Sequence, residues 1–304
     1  MSIVLHKSKQ FLAPLIKITV IVICFYLLYQ QWMERPVSLE TILEFLQKLP
    51  WFTMPLMICM SVLSWLIESK KWQYLINDFY ELRFRESVFQ NLTAQAASFI
   101  TPLRAGEFAM KPIFFSKSLR KNVVSRTLAG NVSQMLITTL IGLITVLFYL
   151  KINLEKASAF LLTFTGVLLC FLAFTISLWV IKKWDNEGMK WQKWRNTVLF
   201  SLLRYLVFAS NWLFILWLLD YPSSTLTIIR NIGVFYLAVS VIPVFQLFDI
   251  AIKWTVAAYV FEGSLFNAEV ILFATTIIWL TNSIVPTLTG CALLPFQKLK
   301  TNKE

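Results

Sequence analysis

Hydrophobic residues in this chain come in long blocks rather than in alternation, and most blocks are as long as a lipid bilayer is thick. A helix needs about 20 mostly apolar residues to cross the hydrocarbon layer. Segments of that kind fall at 13–31, 54–76, 127–149, 157–181, 198–219 and 268–295. Two further apolar stretches are interrupted: 88–115 by Thr101, Pro102, Arg104 and Gly106, and 232–261 by Pro243, Gln246 and Asp249. Pro102 and Pro243 each remove a backbone donor, and Gly106 permits conformations or close approach that other residues resist, so these three mark helix breaks. Each half is short for an independent crossing. Non-helical backbone is tolerated at membrane depth where protein shields it or where it lines a wet cavity. The pattern therefore predicts an all-α polytopic membrane fold, with about six full transmembrane helices plus two re-entrant hairpins.

The placement of lysine and arginine orients this layout. Sets such as Lys117, Arg120, Lys121 and Arg126, and Lys182, Lys183, Lys190, Lys193 and Arg195, fall on the same side as the N-terminus, with Lys298, Lys300 and Lys303 at the other end of the chain. The opposite side holds Arg35, Lys48, Lys151, Lys156 and Arg230. The positive-inside rule then predicts both termini in the cytoplasm. One broken stretch enters from the cytoplasmic side and the other from the outer side, each between two full spans. A span, hairpin, span unit thus occurs twice in opposite orientation, at about 54–149 and 198–295, within one integral membrane domain covering 1–304. Inverted repeats with discontinuous helices in matching positions point to a transporter's binding site.

Composition agrees. The 304 residues are 58% hydrophobic and only 14% charged, with a mean hydropathy of +0.67, against about 25% charged in soluble domains. The formal charge of +12 reflects topology rather than nucleic-acid binding, because the basic residues sit in short loops. The N-terminal apolar run lacks a small-residue cleavage pattern and reads as an uncleaved first span. Cys24, Cys59, Cys170 and Cys291 lie within apolar runs and read as small packing residues. The single histidine, His6, lies in a polar tail, so no metal site or cofactor is expected.

The chemistry concentrates in the broken stretches. TPLRAGEFAMKP carries Arg104, Glu107 and Lys111, and IPVFQLFDIAIKW carries Asp249 and Lys253. Both acid–lysine pairs are spaced by four, so on a helix each can face itself. Ionisable groups at membrane depth persist where they pair or face a polar cavity. A helix starting beyond Pro102 would aim free N–H groups at an anion, with Arg104 offering a bidentate contact and Lys111 a point charge. Glu107 could also contact a cationic headgroup or carry a proton. Each pair could equally be self-neutralising structure. Glu68, near Lys71 and Trp72, reads first as an interfacial ion pair, and Arg204 as either cavity-lining or snorkelling. Walker, dinucleotide, nucleophile-elbow and paired-histidine motifs are missing, so no enzyme is expected.

The segment TPLRAGEFAMKPIFF, followed by basic residues and a span, resembles the lysylphosphatidylglycerol synthase transmembrane region, also called the flippase-like domain family. Pro102, Arg104, Gly106 and Glu107 match its pattern one by one, while Leu103 stands where glycine is usual. The family's second signature, proline with several glycines and then glutamate, is reduced here to Pro243 and Asp249. The resemblance implies a membrane domain that translocates lipids, anionic or aminoacylated phospholipids, across a bacterial inner membrane. Full synthases add a soluble aminoacyl-transferase domain; with the chain closing at Glu304, lipid aminoacylation is not expected. Two other readings stand beside flippase: a secondary transporter of a small polar solute or polyprenyl-phosphate carrier, and a non-transporting membrane assembly factor.

Overall fold

The computed structural model describes residues 26, 39–101, 104–152, 175, 189–242, 249–261 and 268–296. The expected spans 13–31 and 157–181 lie outside the described residues apart from Tyr26 and Thr175, and so do Pro102 and Pro243. The described chain is helical: α1 (Leu39–Lys48), α2 (Thr53–Ile76), α3 (Phe84–Phe99), α4 (Ala105–Ile113), α5 (Arg120–Ile152), α6 (Trp191–Leu218), α7 (Thr225–Val241), α8 (Asp249–Val260), α9 (Ala268–Trp279) and α10 (Val285–Leu293). A π-helical segment, Leu280–Ile284, joins α9 to α10 without a break.

Local chemistry sets these boundaries. Glu86 accepts the Arg83 N–H at 3.2 Å and so closes the start of α3. Ser224 caps α7 by accepting the Thr227 N–H at 3.2 Å. Asn77 ends α2 and turns the chain, its Oδ1 taking the Leu82 N–H at 3.1 Å. In the interrupted stretches the described helices are α3 and α4 in one and α7 and α8 in the other; Gly106 lies inside α4, while Pro102 and the segment 243–248 lie outside the described residues. Helix α1 was not foreseen; it packs on α9, with the Phe45 and Phe273 rings 5.4 Å apart.

Among the described residues, three helical stretches are long and apolar enough to cross a membrane by length and composition: Arg120–Val146, Trp191–Leu218 and Ala268–Phe296. Helix α2, with 24 residues, extends roughly 36 Å, but its inward face is polar. Thr53, Ser61, Ser64, Glu68, Ser69 and Lys71 are buried, while Leu56, Val62, Leu63 and Leu66 are exposed. Helix α6 repeats the pattern, burying Thr197, Ser201, Arg204 and Asn211 and exposing Leu199, Leu203 and Leu206. Apolar outside and polar inside is the reverse of a soluble helix. It is what a lipid solvent selects, since lipid tails supply no drive to bury leucine. Cys59 and Cys291 are exposed free thiols on this outer surface, not the packing residues expected from their apolar surroundings.

The helices pack as two matching sets. The polar faces of α2 and α6 lie against each other, and α3 and α4 pack together as do α7 and α8. Across the sets, α10 packs on α3 and α5 on α7. Every one of these contacts has its counterpart when α2–α5 are exchanged for α6–α10. One apolar core, around Met57, Trp212, Ile215, Phe235 and Ala274, fills the space among α2, α6, α7 and α9; a second, around Trp72, Ile76, Phe114, Phe115 and Val123, closes the far end of α2. Ser64, Glu68 and Lys71 lie on α2 between Met57 and Ile76.

Candidate functional site

Arg104 immediately precedes helix α4 at its N-cap position, with a left-handed backbone (φ 57°, ψ 28°). Two residues on, a Cβ on Gly106 would lie 2.3 Å from the Ala97 carbonyl carbon and oxygen, so only glycine lets α4 turn back this closely on α3. The Gly106 N–H donates to Thr101 Oγ1 at 2.7 Å and the Glu107 N–H to the Arg104 carbonyl at 3.1 Å. Part of the helix terminus expected to face an anion is thus already occupied. Glu107 sits in the first turn and Lys111 in the last, each at the helix end its charge suits.

Glu107 and Lys111 are both buried and paired, Nζ to Oε1, at 2.7 Å. Asn131 of α5 donates to the other Glu107 oxygen at 3.1 Å. Lys111 Nζ also lies 4.0 Å from the centre of the Trp72 ring, which is fixed by its own N–H to Gln90 at 2.8 Å. On the neighbouring α2, Glu68 Oε2 accepts Lys71 Nζ and Arg204 NH1, both at 2.7 Å. Arg204 donates through Nε to Ser64 Oγ at 3.3 Å and lies over the Trp65 and Phe208 rings. Lys71 reaches Ser201 Oγ and the Gly130 carbonyl at 3.4 Å.

The two groups form one electrostatic unit. Lys111 acts on Glu68, and Glu107 on Arg204, through space. Arg104, exposed at the rim, acts on both Glu107 and Arg204. Three buried cations, Lys71, Lys111 and Arg204, thus face two buried carboxylates, and Arg104 adds a further positive charge. A charge at mid-membrane costs roughly 2.5–3.5 kcal/mol on insertion scales. All five groups stand in ion pairs, yet three cations against two carboxylates leave one formal positive charge over.

The second pair stands elsewhere. Asp249 and Lys253 of α8 are 2.5 Å apart and partly exposed, on a helix that packs against α7 and α9. Among the described residues, no hydrogen bond or ion pair joins them to the Glu68 and Glu107 group. A further node lies beyond α2, where Asp78 pairs with Arg126 at 3.3 Å and with Lys193, tying the start of α5 and of α6 to the end of α2. No three His, Cys, Asp or Glu side chains gather to hold a metal among the described residues.

Sequence reading found Arg104, Glu107 and Lys111 but not their joining to Glu68, Lys71 and Arg204. Glu68 does pair with Lys71, yet inside the fold rather than at an interface. The missed signal is periodic: Ser61, Ser64, Glu68 and Lys71 on α2, and Thr197, Ser201 and Arg204 on α6, recur at three- and four-residue spacing, with Asn211 two turns further on, and put a polar stripe on one face of each helix.

Lipid-facing leucines outside and a charged interior shared by four helices define an integral membrane protein built around a polar site. The chain matches the family Lysylphosphatidylglycerol synthase TM region over residues 15–287 and belongs to it, a family of flippase-like membrane proteins. Comparison with curated proteins gives no match.

Proposed function

We propose that this protein moves a phospholipid or related amphipathic lipid between the leaflets of a bacterial inner membrane, with both termini in the cytoplasm. The observation that carries this reading is the buried group of three cations and two carboxylates at the start of a half-helix. Formal positive charge held in a polar interior suits a phosphate headgroup, while the acyl chains stay against the leucine-rich exterior. Arg104, Lys111 and the α4 terminus contact the phosphate; Glu107 balances them, meets a cationic headgroup or carries a proton. The α3–α4 and α7–α8 pairs act as the two re-entrant hairpins of an inverted repeat, in which Asp249 and Lys253 are the second half's counterpart of Glu107 and Lys111. The exchange symmetry of the helix contacts supports that layout.

The test is translocation of a fluorescent phospholipid in proteoliposomes. The wild-type protein moves it, whereas Glu107→Gln and Arg104→Ala reduce the rate at least about tenfold, equivalent to about 1.4 kcal/mol on the barrier, with folding retained. Normal lipid movement in both variants removes these residues from the site. Solute uptake without lipid movement replaces the proposal with the secondary-transporter reading.

A further inference from the structure

We infer that the Glu68 carboxylate stands in the place that a phosphoryl anion takes when a ligand binds between Lys71 and Arg204. The inference rests on reading the buried charges as an anion site, and adds a second set of ligating residues and an internal competitor. One carboxylate oxygen, Oε2, receives both Lys71 Nζ and Arg204 NH1 at 2.7 Å. Two cations converging on one oxygen from different helices form a cradle for an anion. Further donors stand ready around it. Ser64 Oγ is 3.3 Å from Arg204 Nε, and Ser201 Oγ is 3.4 Å from Lys71 Nζ. Each hydroxyl can turn to donate to a phosphoryl oxygen.

The cradle is rigid as well as charged. Arg204 is held over the Trp65 and Phe208 rings, 5.1 Å and 5.2 Å from their centres, so its fork is oriented before any ligand arrives. Glu68 is different. It is anchored on α2 by its own backbone, and its carboxylate is the only part of the cradle with the ligand's charge. A phosphoryl group offers more acceptor oxygens than a carboxylate and can engage Lys71, Arg204 and both serines together. Binding then requires displacing Glu68, which weakens the wild-type protein's grip and leaves the ligand free to depart, as a carrier needs.

The prediction is a gain of affinity. Titration of the purified full-length chain with inorganic phosphate and, separately, with dihexanoyl phosphatidic acid should give binding about tenfold tighter in Glu68→Gln than in wild type. Glu68→Asp, which withdraws the carboxylate by one methylene, should fall between them. Adding Arg204→Gln to Glu68→Gln should abolish the gain, and Glu44→Gln, an exposed carboxylate on α1, should leave binding at the wild-type level. Tightening toward both probes identifies the phosphoryl group itself as the ligand; tightening toward the lipid probe alone identifies a headgroup that needs its glycerol and chains. A folded Glu68→Gln protein that binds neither probe more tightly overturns the inference. So does failure of both Glu68 variants to fold, which makes Glu68 a structural counterion. If Glu68→Gln binds more tightly but no lipid crosses the membrane in proteoliposomes, the anion site stands and the flippase reading falls; lipid movement with binding unchanged in Glu68→Gln gives the reverse.

Discussion

Arg104 combines a left-handed backbone with an exposed cation. A non-glycine residue in the left-handed region costs roughly 1–2 kcal/mol, and here that residue carries a cation to the rim of a buried charged group. Strain of this kind is retained where the surroundings over-determine it, often at binding sites. Substituting Arg104→Gly separates the two contributions. The backbone strain is released, so the melting temperature of the purified protein should hold or rise, while lipid translocation falls by about the tenfold expected for loss of the charge. A variant that melts lower and transports normally would show that the arginine serves the fold. Sequence made Arg104, Glu107 and Lys111 legible because each interrupts an apolar run. Glu68 and Arg204 were harder to read because they are 136 residues apart: nothing local says that the stripe on α2 meets the stripe on α6.

At the scale of elements, the breaks were legible and the closeness of the pieces was not. Pro102, Gly106 and Pro243 announced that neither interrupted stretch could be one straight helix. They could not announce that α10 would lie directly on the backbone of α3. Gly290 records that approach: a Cβ there would lie 2.0 Å from the Leu92 carbonyl oxygen. Backbones this close are characteristic of membrane interfaces, where small residues let van der Waals contact replace hydrophobic drive. The substitution Gly290→Val should force α10 away from α3 and destabilise the protein by about 1–3 kcal/mol, the usual range for overpacking, read as a lowered melting temperature in detergent. The π segment between α9 and α10 left no recognisable mark in the sequence. A tertiary contact meets it, the Ser61 hydroxyl donating to the Thr281 carbonyl at 2.7 Å, and π-helical widening of this kind is frequent at functional sites.

At the scale of the molecule, one physical rule accounts for most of what the chain does with its residues: apolar groups go to the lipid and polar groups turn inward. That rule made membrane class and the three apolar spans among the described residues readable from hydropathy, and it explains why α2, expected as a full span, is not as apolar as those three. Its inner face must serve the site. The expected pairing of both broken stretches around one site is a finer matter, since Glu107 and Lys111 join the buried group while Asp249 and Lys253 stand on α8 between α7 and α9. An alternating transporter can bring its two halves to bear at different stages, and the reciprocal packing of α3 with α10 and α7 with α5 gives each half the same set of neighbours.

The central claim is that the buried cations hold a lipid phosphate. A structure of the protein in lipid nanodiscs containing an anionic phospholipid tests it directly. The account predicts headgroup density within hydrogen-bond distance of Lys111 or Arg204, with at least one of the Glu68 and Glu107 ion pairs opened to admit it. All three of these ion pairs intact, with lipid density only along the outer leucine faces of α2 and α6, would contradict it.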